Sequence, residues 1–586
     1  MSRVIEPAPA PAPAVELTSA TDLLSGNAPI PTLPSAATLL ASAAVAACGG
    51  GGSGDAGAPS PSPAPAPAPS PAPPAGLSAT DASRFLAQAS MGASRASIAR
   101  VQATGYAAWI DEQIALAPST SRWDALVADG FADPINKDGE GGFDACAWRK
   151  LLSSPDTLRQ RTTLALSELM VTSIDSLTGG GWKAFAAANY LDVLEANAFG
   201  NYRALMQAIS TNTAMGMYLT FRGSMKANPV SGSLPDENYA RELMQLFTIG
   251  LVKLNVDGTP TLTDGNSTYT YALTDITGLA RVFTGYDFDV SGTSPATSPD
   301  FLRRPLTQIA ARHETGASTF FGVTVPANSS AATALGIALD TIFAHPNVGP
   351  FVSKQLIQRL VTSNPSPAYV ARIAAVFNND GSGTKGNLAA VIKAVLLDDE
   401  ARSASVAAGA SAGKLREPML RFAAWARAWS AASSSNAWAI GNTSDAATRL
   451  GQSPLRSPSV FNFFRPGYVP PNSAIAGASL VAPEFQLNNE STVVGAVNYL
   501  QRAMAGQGVG DVVADYSSLL ALADDAVALM AEINLVLAAG QIGTATAATI
   551  ASAVATMPAG TEALRRNRIY ATLTLVVAAP EFVVLK

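Results

Sequence analysis

The sequence predicts a mostly α-helical protein: a large multi-helix array with long irregular loops and at most a minor β-hairpin. From Leu77 onward, apolar residues recur three or four positions apart, which is the spacing of one buried helix face. Alternating apolar and polar residues, the pattern of a half-buried strand, occur in only two short segments. Hydrophobic residues make up 48% of the 586-residue chain, which is enough for a large core.

The individual elements follow from this spacing and from their boundary residues. The first helix begins at an N-cap, either Ser78 or Thr80. A later helix places three apolar residues on one face before Gly200 ends it: Leu191, Leu194 and Ala198. Further helices are expected at Val352 to Val361, Val370 to Phe377, Leu388 to Leu397, Arg416 to Trp429 and Val493 to Ala503. The two strand candidates are Thr268 to Tyr271 and Phe320 to Val325.

The N-terminal part of the chain has a different composition from the rest. Residues 1–48 contain a short apolar stretch that ends in Val45-Ala46-Ala47-Cys48, which resembles a signal peptide with a bacterial lipobox and a lipidated Cys48. The alternative is a low-complexity tail with an incidental cysteine, since no Lys or Arg adjoins the apolar stretch. Residues 49–76 are rich in Gly, Pro and Ala and predict a disordered tether. Residues 77–586 are predicted to form one large helical domain, with long loops near 223–236, 255–272, 286–312 and 430–490.

Composition excludes several classes of function. Charged residues make up only 14% of the chain, the net charge is −6, and no run of Lys or Arg occurs. A nucleic-acid partner is therefore not expected, because phosphate binding needs a clustered basic surface. With two His and two Cys, the chain cannot form a His-rich metal centre, an all-cysteine zinc site or an iron–sulfur cluster. No metal and no cofactor are expected.

Two short patterns match enzyme motifs but lack their structural context. Gly381 to Gly386 satisfies the dinucleotide-binding pattern, yet the preceding segment is helical rather than a strand. We therefore predict a turn between two helices there. Gly409 to Gly413 satisfies the pattern of a nucleophile elbow, but both His residues precede Ser411, whereas in that fold the His follows the Ser.

The segment from Pro235 to Gly250 is the most informative helix. Asp236 is its predicted cap, and Gly250 its predicted end. One face is apolar and is predicted to be buried: Tyr239, Leu243, Leu246 and Phe247. A second face carries Asn238, Glu242 and Gln245, with Arg241 beside it. Amides next to one acid and one Arg are consistent either with a structural polar network or with ligand binding by Asn238, Arg241 and Gln245.

The two His residues have different surroundings. His345 follows an apolar helix, where a His caps carbonyl groups. His313 lies in a long loop next to Glu314 and after Arg303 and Arg304. It is the better candidate for proton transfer or for recognition of an anion.

A resemblance to a known family is carried by one long run of residues: Asp236-Glu237-Asn238-Tyr239-Ala240-Arg241-Glu242-Leu243-Met244-Gln245-Leu246-Phe247, followed by Gly250-Leu251. This run resembles the central signature of the bacterial family catalogued as domain of unknown function 1800. Other segments resemble the family's motifs in the same order: Arg84 to Ala89, Leu279 to Tyr286, His313 to Gly316, Gly451 to Pro454, Ser457 to Asn462 and Ala579 to Phe582. The resemblance covers residues 77–586.

The chain departs from the family at one motif. Many members carry a "WHNH" segment that suggests metal binding, but the matching stretch here, Leu164 to Val171, has neither His. A metal hydrolase is therefore not implied. The resemblance does imply an exported protein, because members are often encoded beside a second exported, sulfatase-like family.

Two hypotheses follow. The leading one is an exported, lipid-anchored protein of the bacterial cell envelope, held to the membrane at Cys48, that acts as a binding or assembly component with a secreted, sulfatase-like partner. The alternative is a metal-independent hydrolase or lyase acting on an extracellular polymer. Glu242 would then be the general acid/base, Arg241 and Arg281 would hold anionic substrate groups, and His313 would assist proton transfer. An enzyme needs these side chains around one open pocket, whereas a scaffold would bury them in ion pairs.

Overall fold

The computed structural model of the protein describes residues 76–586. Its first helix, α1 (Ala79–Ala89), begins after Ser78, whose side chain accepts a hydrogen bond from the backbone N–H of Asp81 at 3.0 Å. Ser78 is therefore the N-cap. The predicted signal segment with Cys48 lies outside the described residues, and so does the predicted tether up to residue 75.

Eight further helices occupy the chain up to residue 218, and half of them begin at a Ser or Asn whose side chain caps the first turn. They are α2 (Arg95–Thr104), α3 (Tyr106–Ala115), α4 (Arg122–Ala128), α5 (Phe143–Ser153), α6 (Thr157–Leu169), α7 (Lys183–Ala196), α8 (Tyr202–Ser210) and α9 (Thr213–Tyr218). Two 3₁₀ turns lie between them, at Pro134–Asn136 and Ile174–Ser176.

The central part of the chain contains a π-helix at Leu243–Thr248, directly after α10 (Asn238–Glu242). The helices that follow are α11 (Leu273–Val282), α12 (Ala331–Ala344), α13 (Val348–Leu360), α14 (Pro367–Asn378), α15 (Leu388–Leu397), α16 (Asp399–Arg402) and α17 (Ala404–Ala407). Two 3₁₀ turns, Asp300–Arg303 and Ala310–Arg312, lie in the long loop before α12.

The last part of the chain is again helical. Its helices are α18 (Pro418–Ala428), α19 (Ala474–Gly477), α20 (Glu490–Met504), α21 (Ser517–Leu520), α22 (Ala526–Ala538), α23 (Thr544–Ala555), α24 (Glu562–Ala578) and α25 (Pro580–Val583), with a 3₁₀ turn at Pro483–Leu487. The N-terminal helix packs against this part, because the Ser83 hydroxyl on α1 donates to the carbonyl of Leu535 on α22 at 2.8 Å. Among the helices of residues 76–586, none is long and apolar enough to span a bilayer.

The β-structure of the described chain consists of two-stranded antiparallel ladders of two or three residues. The pairs are β1 (Leu262–Thr263) with β2 (Asn266–Ser267), β3 (Tyr286–Asp287) with β4 (Thr307–Gln308), β5 (Ser318–Phe320) with β6 (Val323–Val325), β7 (Lys414–Leu415) with β10 (Val584–Leu585), and β8 (Ala432–Ser433) with β9 (Val512–Val513). The predicted fold class, mostly α with minor hairpins, is confirmed.

Both strand predictions need correction. The segment from Phe320 to Val325 is a hairpin rather than one strand, because Phe321 and Gly322 take φ values of 49° and 72° and form its two-residue turn. The segment from Thr268 to Tyr271 is not a strand. Its Tyr269 makes a single bridge to Val252, while the ladder forms just before it, between β1 and β2.

The helix predictions are confirmed with shifted ends. The expected helices correspond to α13, α14, α15, α18 and α20, and α15 matches residue for residue. Helix α7 ends at Ala196, before the predicted stop at Gly200, and Ala198 is buried beyond its end. The Gly381 to Gly386 segment is the turn between α14 and α15, as predicted.

Helices α6 and α13 lie at the centre of the core and are buried around almost their whole circumference. Both nevertheless carry charged residues, among them Arg161 and Glu168 on α6 and Arg359 on α13. A charge inside a core must be paired or neutralised. The core therefore contains an ionic cluster, and one side of it borders the candidate site.

Candidate ligand-binding site

The family-signature segment does not form the continuous α-helix that its periodicity predicts. It begins as α10 and continues as a π-helix from Leu243 to Thr248. The hydroxyl of Thr248 donates to the carbonyl of Leu243, five residues earlier, at 2.6 Å, which supports the wider turn. Gly250 ends the segment with φ +71°. A π-turn of this kind occurs frequently at functional sites.

The wider turn changes which side chains share a face. Tyr239, Leu243 and Phe247 are buried as predicted. The prediction for Leu246 was wrong, because this residue is only half-buried and lines a cavity together with Gln245. Glu242, which was predicted to face away from the core, has only 8% of its surface exposed.

The charged residues on the outer side of α10 are held in local contacts. Arg241 forms an ion pair with Glu237 at 3.2 Å, and Glu237 also accepts a hydrogen bond from the Thr277 hydroxyl on α11 at 3.0 Å. The side-chain amide of Asn238 donates to the Thr220 hydroxyl at 3.4 Å. Asn238 thus contacts a neighbouring segment and Arg241 pairs within its own, and neither residue lines the cavity described below.

Arg281 and His313 make their contacts with other residues and not with Glu242. Arg281 pairs with Glu314 at 3.2 Å. His313 is buried, and its Nδ1 lies 3.0 Å from the carbonyl oxygen and 3.2 Å from the hydroxyl of Thr284. Within residues 76–586, no hydrogen bond or ion pair joins either residue to Glu242. The structure thus does not assemble the predicted group of Glu242, Arg281 and His313.

Glu242 is instead buried near two tyrosines, Tyr218 and Tyr271. Its Oε2 is buried and has no hydrogen-bond partner within the described chain. Burial raises the pKa of Glu242 to about 7, although the nearby Arg241 acts in the opposite direction. Its negative charge also raises the pKa of the half-buried Tyr218 and Tyr271, in both cases as a lesser cause after burial.

A cavity of about 240 Å³ opens beside the π-helix. Its walls are mostly apolar and include Leu169, Leu246, Leu251, Phe351, Val460 and Phe461. The polar side chains that reach it are Glu168, Gln245, Gln355, Arg359 and Arg465. Oε1 of Gln245 accepts a hydrogen bond from the Tyr271 hydroxyl at 3.0 Å. An apolar cavity with a few converging polar groups is typical of a ligand site.

A second, larger cavity of about 680 Å³ adjoins the first. The two share five lining residues: Gly250, Leu251, Phe351, Gln355 and Pro466. Its other walls come from the loop after α13, including Asn364, and from the segment Ser479 to Val481. We call the two cavities together the signature cleft, because the end of the family-signature segment forms one side of both.

The base of the smaller cavity reaches the buried ionic cluster. Nη2 of Arg359 donates to the backbone carbonyl of Glu168 at 2.8 Å, and Nη1 donates to Gln355. The Nε of Arg359 is buried without a hydrogen-bond partner and lies 3.8 Å from Oε2 of Glu168. Burial lowers the pKa of Arg359.

The rest of the cluster lies behind Glu168. Lys414 Nζ lies 2.8 Å from Oε1 of Glu484 and 3.5 Å from Oε1 of Glu417. Glu417 also accepts a hydrogen bond from Gln452 at 2.7 Å. Burial and the neighbouring Glu417 carboxylate raise the pKa of Glu168 well above its ordinary value. Burial acts the same way on Glu417, but Lys414 and a proton shared from Glu168 outweigh it and lower its pKa.

Four residues at this site were missed by sequence reasoning: Glu168, Gln355, Arg359 and Arg465. One signal for Glu168 existed, because it lies in the stretch that matches the family's "WHNH" segment. Arg359 lies between apolar residues of the predicted helix from Val352 to Val361, with Leu356, Ile357 and Leu360 beside it, and a cation among apolar residues indicates a buried ion pair. In the part of the chain that the structure describes, no group of three or more His, Cys, Asp or Glu side chains could hold a metal ion.

Comparison with known proteins identifies the family. No curated protein and no solved structure matches the chain significantly. The family described as "protein of unknown function (DUF1800)" matches residues 84–584. This range covers most of the chain and includes α6, the π-helix and α13, which together form the base and one wall of the smaller cavity. The chain therefore belongs to the DUF1800 family.

Proposed function

We propose that this protein is an exported, lipid-anchored component of the bacterial cell envelope that binds a secreted partner in the signature cleft. The observation that carries the proposal is the position of the cleft. The most recognisable segment of the sequence ends at Gly250, two residues after the π-helix, and Gly250 lines both cavities. The cleft is thus built from the segment that most clearly identifies the family.

The chemistry of the cleft supports binding of an extended polar chain. The amide side chains of Gln245 and Gln355 can hydrogen-bond to a peptide backbone. The aromatic rings of Phe351 and Phe461 can pack against the side chains of that peptide. Arg241 and Arg281, which the enzyme hypothesis needs as substrate ligands, are instead paired with Glu237 and Glu314. Paired charges at those positions favour a binding protein over the predicted enzyme.

One specific observation favours a second candidate function. The carboxyl group of Glu242 has a pKa of about 7, which is suitable for a general acid/base near neutral pH. We retain a metal-independent hydrolase or lyase as the alternative. In that case Glu242 would act without His313, whose Nδ1 is engaged by Thr284.

Photo-crosslinking in the native host tests the binding proposal. A photoreactive amino acid is placed at Leu251, which lines both cavities and is 46% exposed. The matched control position is Val527 on α22, which is 70% exposed and lines neither cavity. We expect one discrete protein adduct from Leu251, its absence from Val527, and its loss when Leu246→Trp fills the smaller cavity. The proposal is wrong if both positions give the same adducts or neither gives one.

A further inference from the structure

The smaller cavity has apolar walls and, at its bottom, buried polar groups without a hydrogen-bond partner. Arg359 is only 4% exposed, yet its Nε–H donates to no atom of the described chain. Glu168, which is also only 4% exposed, accepts no hydrogen bond within the described chain and shares its own proton with Glu417. A buried donor without a partner destabilises the folded state, so such groups normally have a hydrogen-bond partner. At this site the open cavity is the space from which a partner would approach.

The charge of the cluster indicates the sign of that partner. It contains three cations and three carboxyl groups: Arg161, Arg359, Lys414, Glu168, Glu417 and Glu484. Burial and the Glu417 carboxylate both raise the pKa of Glu168 well above its ordinary value, which favours its neutral form. A neutral Glu168 leaves three cations opposite two carboxylates, and this balance favours an anion at the bottom of the cavity.

A further cation lies at the mouth of the same cavity. Arg465 is exposed, and its guanidinium stacks on the ring of Phe461 at 4.7 Å. Within the described residues, no ion pair engages Arg465. An anionic group that enters the cavity therefore passes one guanidinium at the mouth and meets another at the base.

We propose that this cavity binds the C-terminal carboxylate of a peptide chain together with its apolar last side chain. This inference rests on the proposed binding function and specifies what part of the partner enters the cleft. The carboxylate matches the guanidinium of Arg465, which can recognise a planar pair of oxygens, and the unpartnered Nε–H of Arg359. The last side chain packs against Leu246, Leu251 and Phe351, and the preceding residues extend into the larger cavity.

The walls favour a peptide terminus over an acidic sugar as the source of the carboxylate. A sugar acid presents hydroxyl groups on most of its surface, and apolar walls would leave them without partners. A leucine-like side chain instead gains free energy by burying apolar area there. The cavity of about 240 Å³ also holds much more than a single water, which takes about 30 Å³ in the liquid.

Calorimetric titration of the full-length protein in detergent tests the inference with a matched pair of probes. The probes are N-acetyl-alanyl-leucine as the free acid and the same dipeptide as its C-terminal amide. We expect the acid to bind at least about tenfold more tightly, because only the acid forms charge-assisted hydrogen bonds. Equal affinities, or no binding of either probe, would overturn the inference. Tighter binding of a galacturonate trimer than of the acid would overturn it as well.

Two substitutions test whether the preference for the acid comes from the guanidinium at the mouth of the cavity or from surface charge in general. Arg465→Gln should reduce the preference for the acid at least severalfold. Arg303→Gln is the matched control, because Arg303 is also exposed and stacks on an aromatic ring, that of Trp123 at 5.5 Å, but does not line the cavity. An equal loss of preference in both variants would contradict the assignment. A Leu251 adduct in cells without binding of the dipeptide acid would refute this inference alone, whereas dipeptide binding without an adduct would refute the proposed partner function.

Discussion

Arg359 and Glu168 are in contact at two points inside the protein. Nη2 of Arg359 donates to the backbone carbonyl of Glu168 at 2.8 Å, whereas its Nε lies 3.8 Å from the carboxyl Oε2. The first contact joins α13 to the end of α6. The second distance is too long for a hydrogen bond, so the two side chains are neighbours without a direct bond. A ligand group that reaches this position can therefore interact with both side chains.

Binding of the dipeptide acid should weaken at alkaline pH. Glu168 faces Arg161 on its own helix, Arg359 on α13, Lys414 on β7 and Glu417 before α18. Its pKa is raised in the folded protein, so the proton is held to a higher pH than on an ordinary glutamate and is lost as the pH rises through that raised pKa. Losing it makes the cluster neutral and reduces the attraction for a carboxylate. Calorimetric titrations between pH 6 and pH 9 measure this effect, and Glu168→Gln should remove it. The same pH dependence in the variant would contradict this role.

Replacing Lys414 should destabilise the protein strongly. Its Nζ lies 2.8 Å from Glu484 and donates to the carbonyl of Arg359 at 2.8 Å, and its side chain is fully buried. Lys414→Met leaves buried carboxylates unpaired, so we expect a loss of about 3–5 kcal/mol in the free energy of unfolding. Lys393→Met is the matched control. Lys393 pairs with Asp111 at the surface, and its removal should change stability by about 0–1 kcal/mol. Chemical denaturation measures both, and similar losses would refute the predicted difference.

Glu242→Gln should stabilise the protein at alkaline pH. The folded-state pKa of about 7 is higher than the ordinary value of 4.5, because the ionised side chain is buried. Folded protein thus holds a proton that unfolded protein has lost, and stability falls as pH rises through this window. The variant has no buried carboxyl group to ionise, so its stability does not fall in this way. Relative to wild type it should gain about 2–3 kcal/mol between pH 4 and pH 8.

Glu314→Gln should change the pH dependence of stability in the opposite direction in the same denaturation experiment. Burial raises the pKa of Glu314, but a hydrogen bond from the Gly316 N–H and the contact with Arg281 outweigh it and lower the pKa. Ionised Glu314 therefore stabilises the folded state, and this contribution is lost as pH falls through the folded-state pKa. The variant should be less stable than wild type at pH 8 and closer to it at pH 3. If both variants changed in the same direction with pH, the assigned environments would be incorrect.

Gly250→Ala should impair both stability and the cleft. Gly250 has φ +71°, and an added Cβ would lie 2.9 Å from ring atoms of Phe351, which lines both cavities. Gly265→Ala is the control for the backbone alone, since Gly265 has φ +79° and no atom near the added Cβ. The left-handed conformation costs an alanine about 1–2 kcal/mol at either position. Gly250→Ala should lose more than this in chemical denaturation and should also bind the dipeptide acid more weakly. Equal losses would show that Phe351 moves freely.

Cys48→Ser should release the protein from the membrane fraction of the native host. The small residues before Cys48 resemble a lipobox, and a lipid on Cys48 would be the attachment. Cys146→Ser is the control, because Cys146 is buried and its thiol donates to the Phe143 carbonyl, a bond that a Ser hydroxyl can replace. Cell fractionation followed by immunoblotting measures both variants. A mature N-terminus upstream of Cys48 with no lipid attached would refute the lipoprotein prediction.

The sequence was sufficient to predict the helices because their signals are local. Ser78 caps α1, and the apolar spacing from Leu388 to Leu397 defines α15. The π-turn was not predictable from this spacing, since one hydroxyl, that of Thr248, supports a wider turn within a run that also fits an α-helix. As a result, Leu246 was placed in the core although it lines a cavity.

The arrangement of the site was less predictable, because it depends on which distant charges become neighbours. Arg281 could pair with either Glu242 or Glu314 as far as the sequence is concerned, and packing of the loop after α11 selects Glu314. Glu168 and Arg359 are separated by nearly two hundred residues and meet only because α6 and α13 are both central. Periodicity indicates a buried face but not the partner that a buried charge will find there.

The pairing of β7 with β10 has a consequence for the order in which the protein is completed. Lys414 of the ionic cluster lies on β7, whose ladder partner is Val584–Leu585, far downstream in the chain. During synthesis, α6 and α13 emerge long before that partner exists. The strand that carries Lys414 gains its neighbour only after residue 585 has been made. Lys414 therefore lacks the strand that pairs with β7 until nearly all of the described chain has been synthesised.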